Sequence, residues 1–141
     1  MTNEKSSELL LVGRQVLERQ PFSRLLGAEL SAFEPGYAEI RLLCRDELRQ
    51  QRGVIHGGVL AYLSDNVQTF AGGSVLGEKC ATLETKINYI RPALSGHLIA
   101  RARVVGGGRR TAVTSCEILN QEDGKEAVVV AVAQGTIITL D

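Results

Sequence analysis

Apolar residues recur at three- and four-residue steps at Val59, Leu60, Leu63, Val67, Phe70 and Ala71, with no proline among them. That spacing places all six on one face of a helix. The pair Gly72-Gly73 then offers a C-terminal stop. The helix carries one charged residue, Asp65. At about 100° per residue, Asp65 falls opposite the apolar stripe, beside Ala61, Tyr62, Gln68 and Thr69.

A shorter helical pattern covers residues 7–20. Leu9, Leu10, Val12, Val16 and Leu17 form its apolar face, Ser6 or Ser7 its cap, and Pro21 its end. Residues 22–26 predict a turn or a second helical turn. Strands follow over 28–33 and 37–43, joined by a hairpin at Glu34-Pro35-Gly36. The polar stretch 44–51 reads as a loop. After Gly77 the pattern is strand-like to the end: Leu83, Thr85, Ile87 and Tyr89 alternate, then strands cover 98–105, 111–119 and 126–140. Gly106-Gly107-Gly108 and Asp123-Gly124 mark bends between them.

Late strands on short turns pair antiparallel, and the long helix is the natural filler for their inner face. The expected fold is α+β, a curved antiparallel sheet wrapped round one central helix, in a single domain over 1–141. Val128 to Val132 is apolar on consecutive residues. This predicts burial on both faces and pairing with a second copy of the chain.

Composition narrows the function. Formal net charge is zero, which disfavours a nucleic-acid partner. No apolar run reaches the roughly 18 residues of a membrane span. The first residues lack the basic-then-apolar order of a signal peptide, so a cytoplasmic location is expected. Cys44, Cys80 and Cys116 form no CxxC pair and read as small apolar fillers. With His56 and His97 the only histidines, metal ligands are scarce and no metal is expected.

Chemistry concentrates at the start of the long helix. Its first N–H groups have no internal partner, and the helix dipole adds positive charge there. Gly57 and Gly58 hold no side chain that would keep a substrate carbonyl away. That helix end therefore suits polarisation of a carbonyl oxygen, and Asp65 is the one carboxylate of the helix.

Several features combine: Gln50-x-x-Gly53-x-x-His56-Gly57-Gly58, Asp65 in the helix that follows, four later strands, and Tyr89-x-Arg91-Pro92. Together they resemble the hotdog-fold acyl-CoA thioesterases, in the branch of the phenylacetate-degradation (PaaI-like) and 4-hydroxybenzoyl-CoA thioesterases. The likeness covers most of the chain from residue 20 onward. It implies that acyl-CoA is hydrolysed to a carboxylic acid and free CoA, with no cofactor beyond the CoA of the substrate. It also implies a dimer sharing one continuous sheet, often paired into a tetramer.

By that resemblance Asp65 is the general base or nucleophile, and the Gly57 amide polarises the thioester carbonyl. Gln50 contacts substrate or water, although many relatives carry Asn there. His56 shapes the site, and Thr82 orients water beside the carboxylate. Each residue also has a plainer alternative. Asp65 can be a solvated helix residue, His56 a helix cap, Gln50 a loop hydrogen-bond partner and Thr82 a β-branched strand residue. Coenzyme A needs cations, for which Arg91 at a strand end and Arg109 with Arg110 after the three glycines are the candidates; the alternative is a solubilising turn. Rival functions on the same fold are an enoyl-thioester hydratase or dehydratase and a non-catalytic acyl-CoA-binding protein.

Gly57 and Asp65 stand eight residues apart on one helix, or about 12 Å at roughly 1.5 Å per residue. Attack on a carbonyl held at Gly57 needs contacts near about 3 Å. A site that takes Gly57 and Gln50 from one subunit and Asp65 from an antiparallel partner resolves the distance.

Overall fold

The computed structural model describes residues 2–140; the expected domain limits at 1 and 141 lie outside that range. The N-terminal helix α1 (Thr2–Glu18) begins before the expected serine cap, and Ser7 Oγ instead donates to the Glu4 carbonyl within it. The one-turn helix α2 (Pro21–Leu26) follows, with proline at its start and Gly27 at its end. Strands β1 (Glu29–Glu34) and β2 (Tyr37–Leu43) form the expected hairpin. A short 3-10 turn (Asp46–Leu48) lies in the loop that leads to the long helix α3 (Gly57–Leu76). Then come β3 (Cys80–Tyr89), β4 (His97–Gly107), β5 (Thr111–Gln121) and β6 (Val128–Thr139).

All neighbouring strands are antiparallel, in the order β1-β2-β4-β5-β6-β3. Register shifts in β1, β3, β4 and at the β5–β6 pairing add curvature. Strand β4 runs through two of the glycines expected to form a bend, and Gly107 still pairs with Ala112. Inward residues alternate along β2 (Ala38, Ile40, Leu42) and β5 (Ala112, Thr114, Cys116, Ile118). The six residues of the α3 stripe are all buried against them. The fold is thus the expected curved antiparallel sheet around one central helix.

Two sequence expectations fail on α3. The helix does not stop at Gly72-Gly73 but runs to Leu76, with Gly77 as its C-cap. Gly72 serves packing instead. A Cβ there would lie 2.6 Å from Ile137 Cγ1, so its absence lets the helix seat closely on β6. Gln68, expected beside Asp65 on the polar side, is 1% exposed. Its Nε2 donates to the Ser64 carbonyl, Ser64 Oγ and Thr85 Oγ1, and its Oε1 accepts from Thr114 Oγ1. A buried amide is tolerated when its hydrogen-bonding groups are filled, and this one ties α3 to the sheet.

Candidate active site at the start and middle of α3

His56 is the N-cap of α3, in an extended backbone conformation. Its Nδ1 accepts a 2.8 Å hydrogen bond from the Gly58 N–H. An accepting Nδ1 carries no proton, so the neutral ring bears its proton on Nε2. Glycine at position 58 leaves room for the ring, since a Cβ there would stand 2.9 Å from Nδ1 and push the imidazole aside. The cap uses the Gly58 amide and leaves the preceding one, Gly57 N–H, directed out of the helix start with the dipole behind it. The Tyr89 ring stands against Gly57, with Cε1 3.5 Å from where a Cβ would be. Tyr89, read in the sequence only as a strand and motif residue, thus walls the helix start.

Gln50 precedes this entry in a tight turn. Its amide N–H donates to the Val54 carbonyl at 2.9 Å, its carbonyl accepts from Gly53 N–H at 3.0 Å, and its side-chain oxygen accepts from the Arg52 N–H. The loop-partner role is therefore filled by Oε1, which leaves the Nε2 amide as the donor available to a substrate.

Two turns further along α3, Asp65 is exposed. Thr82, near the start of β3, donates a 2.6 Å hydrogen bond to Asp65 Oδ1. Thr69 completes the cluster: its hydroxyl donates to the Asp65 carbonyl at 2.8 Å and lies 2.9 Å from Thr82 Oγ1. The structure thus brings the Thr82 hydroxyl to Asp65, the two residues that the family resemblance places side by side. It also adds Thr69, whose i+4 spacing from Asp65 was the available signal. Gly57 and Asp65 both lie on α3, separated by two helical turns.

The cations divide. Arg91 follows β3, beside Pro92, Leu94 and the β5–β6 turn. Arg109 and Arg110 sit at the β4–β5 turn, at the opposite end of β5, where the Arg110 carbonyl accepts from Thr139 N–H. The candidate groups therefore belong to two ends of the sheet.

The thiols are held away from reactivity. Burial pushes Cys116 up to about 12 and Cys44 to about 11, and raises Cys80 as well. A thiol held that high is not a thiolate near neutral pH. Among the described residues, no three His, Cys, Asp or Glu side chains cluster as a metal site. No described helix is long and apolar enough to cross a membrane.

Residues 52–127, from before the His56 cap to the β5–β6 turn, match the family described as the thioesterase superfamily. The chain belongs to that superfamily. Its relatives include acyl-coenzyme A thioesterase 13 of Pongo abelii, 31% identical over 74% of this chain and 76% of the relative. Among solved structures, a thioesterase family protein from Silicibacter pomeroyi superposes with a TM-score of 0.84 at 31% identity, covering 90% of this chain and 94% of that one. A point mutant of phenylacetic acid degradation protein PaaI from Thermus thermophilus superposes with a TM-score of 0.74 at 30% identity, covering 86% and 100%. The thioesterase fold recognised in the sequence is therefore the hotdog fold of the PaaI-like branch, and the activity class is thioester hydrolysis.

Proposed function

We propose that the chain hydrolyses acyl-CoA thioesters with Asp65 as the reacting carboxylate. The observation that carries this reading is the exposed Asp65 side chain with a hydroxyl aimed at it, Thr82 Oγ1 at 2.6 Å. Thr82 in turn touches the Thr69 hydroxyl at 2.9 Å, so the carboxylate is held by a pair of hydroxyls bridging β3 and α3. Such holding supports the fixed direction that reaction with water or an acyl carbon needs. The acyl-CoA thioesterase among the relatives supports coenzyme A as the thiol carrier.

In this reading the thioester oxygen sits at the Gly57 N–H, where charge grows in the transition state. Gln50 Nε2 supplies a second contact. Asp65 either takes a proton from water or attacks the acyl carbon to form an anhydride that water then opens. In the first route water adds to the acyl carbon and its proton passes by way of Asp65 to the departing sulfur; in the second CoA leaves as the thiolate and takes its proton from solvent. His56 Nδ1 is occupied by Gly58 N–H, which counts against the proton-shuttling histidine that a hydratase needs. Two helical turns separate Gly57 from Asp65 in one chain, so the reading takes Asp65 from a two-fold-related partner whose helix runs antiparallel. Arg91 from the Gly57 subunit and Arg109 with Arg110 from the Asp65 subunit are then the candidates for the CoA phosphates.

The test is acyl-CoA hydrolysis followed by free-thiol release in the wild type and in Asp65→Asn. The expected result is turnover in the wild type and a loss of at least about 10²-fold in the variant, the low end for an acid–base group. Near-normal kcat in a folded Asp65→Asn protein removes Asp65 from the mechanism.

A further inference from the structure

Asp65, Thr69 and Gly73 follow one another at four-residue steps, so they lie along one side of α3. Their side chains shrink in that order from a carboxylate to a hydroxyl to none, and a trough opens along the helix. Thr69 and Gly73 are also part of the wall of a groove between α3 and α1, completed by Phe70, Phe33, Val12 and Val16. One wall residue, Thr69, therefore reaches the proposed reaction centre: its hydroxyl bonds the Asp65 backbone carbonyl and lies against the Thr82 hydroxyl that holds the carboxylate. The groove runs toward the C-terminal end of α3, where Glu78, paired with Arg19 at the surface, is part of its lining.

Its wall is mostly carbon, and several of its polar groups already have partners within the fold. Asn66 Nδ2 donates to Gln20 Oε1 at 3.0 Å, and Ser74 Oγ accepts from Gly36 N–H while donating to the Ala71 carbonyl. Phe33 and Phe70 pack edge to face, with ring centroids 5.4 Å apart. Helix α1 is seated firmly as the roof, since a Cβ on Gly13 would lie 2.6 Å from both Leu30 and Phe33. The volume of about 230 Å³ falls below the roughly 300–1,000 Å³ of pockets that hold drug-sized ligands. It suits one acyl chain and not a nucleotide.

We propose that this groove takes the acyl group of the substrate, an aliphatic chain of medium length laid along α3 beneath α1, with its tail toward Glu78. The inference rests on the reading of Asp65 as the reacting carboxylate.

The chain has no tryptophan, so Val12→Trp places a sole indole at the groove. Val12 is 54% exposed, which makes the substitution compatible with folding. Leu11→Trp, on a neighbouring exposed position outside the groove wall, is the control. In the wild type, kcat/KM should rise about fourfold per methylene from butanoyl- toward decanoyl-CoA, the value of burying a methylene, and then level off. Val12→Trp should flatten that rise and lower kcat/KM for decanoyl-CoA at least about tenfold, the loss of two methylene contacts. The hydrolysis-proof thioether S-decyl-CoA should shift the emission of Val12→Trp, whereas CoA should not, and Leu11→Trp should respond to neither.

If acyl-CoA is hydrolysed but Val12→Trp keeps the wild-type chain-length dependence and ignores S-decyl-CoA, the groove proposal is overturned and the hydrolase reading stands. If S-decyl-CoA shifts the emission while no acyl-CoA is turned over, the groove stands and the catalytic reading falls. Should Val12→Trp fail to give a native circular dichroism spectrum, Val12→Glu puts a charge at the same place. That variant should lose decanoyl-CoA hydrolysis at least as strongly, and an unchanged rate overturns the groove.

Discussion

Thr82 Oγ1 donates to Asp65 Oδ1 across the gap between β3 and α3, at 2.6 Å. The bond joins residues 17 apart in sequence and fixes a carboxylate that is otherwise open to solvent. Thr82→Val removes the donor and keeps the shape. A misplaced reacting group can cost up to about 10²-fold in rate, so kcat should fall about tenfold or more, while the loss of one exposed bond leaves thermal stability little changed. Thr82→Ser should restore most of the rate. A Thr82→Val enzyme with wild-type kcat would show that the hydroxyl does not position Asp65.

The His56 cap makes a separate prediction, because its ring has a structural role independent of proton transfer. His56→Ala leaves the Gly58 amide without its cap and should cost about 1 kcal/mol of stability. Asn is a good N-cap, so His56→Asn should melt near the wild type. If His56 mainly shapes the helix entry, His56→Asn should keep far more activity than Asp65→Asn. Equal losses in those two variants would instead give the imidazole a chemical role. Melting curves and kcat on the same preparations decide between the two.

Arg109 and Arg110 make a prediction in KM. Replacing both with alanine should raise KM for acyl-CoA more than it lowers kcat, since remote phosphate contacts contribute uniform binding. Wild-type KM should also rise with salt. An unchanged KM in the double variant moves the nucleotide contact to the Arg91 end of the sheet.

The shared-site reading predicts complementation between two inactive chains. One chain carries Asp65→Ala; the other carries Gln50→Ala with Gly57→Pro. Proline is tolerated in a first helical turn. The extended backbone of His56, with ψ at 135°, is the conformation that a following proline requires. Each parent alone should be nearly inactive. After unfolding and refolding together at equal amounts, about half of the dimers are mixed and each has one intact site, so roughly a quarter of wild-type activity should return. Mixed dimers that form without regaining activity would refute a site built from two chains.

Much of this protein is written locally in its sequence. The apolar stripe of α3 gave its buried face, and alternation gave the strands, because these periods follow from backbone geometry alone. The His56-Gly57-Gly58 entry and the lone Asp65 marked the candidate site for the same reason: helix-end chemistry depends on neighbours in sequence. The clearest departures were long-range. Gly72 looked like a stop until the approach of Ile137 explained it, and Gln68 looked solvated until Thr85 and Thr114 filled its hydrogen bonds. Only the folded chain set the Thr82 hydroxyl against Asp65, the Tyr89 ring against Gly57, and α1 over the trough beside Thr69. Local periodicity determines which residues share a face. Which faces meet depends on strand order and on the packing of elements far apart in the chain, and no short-range pattern encodes either.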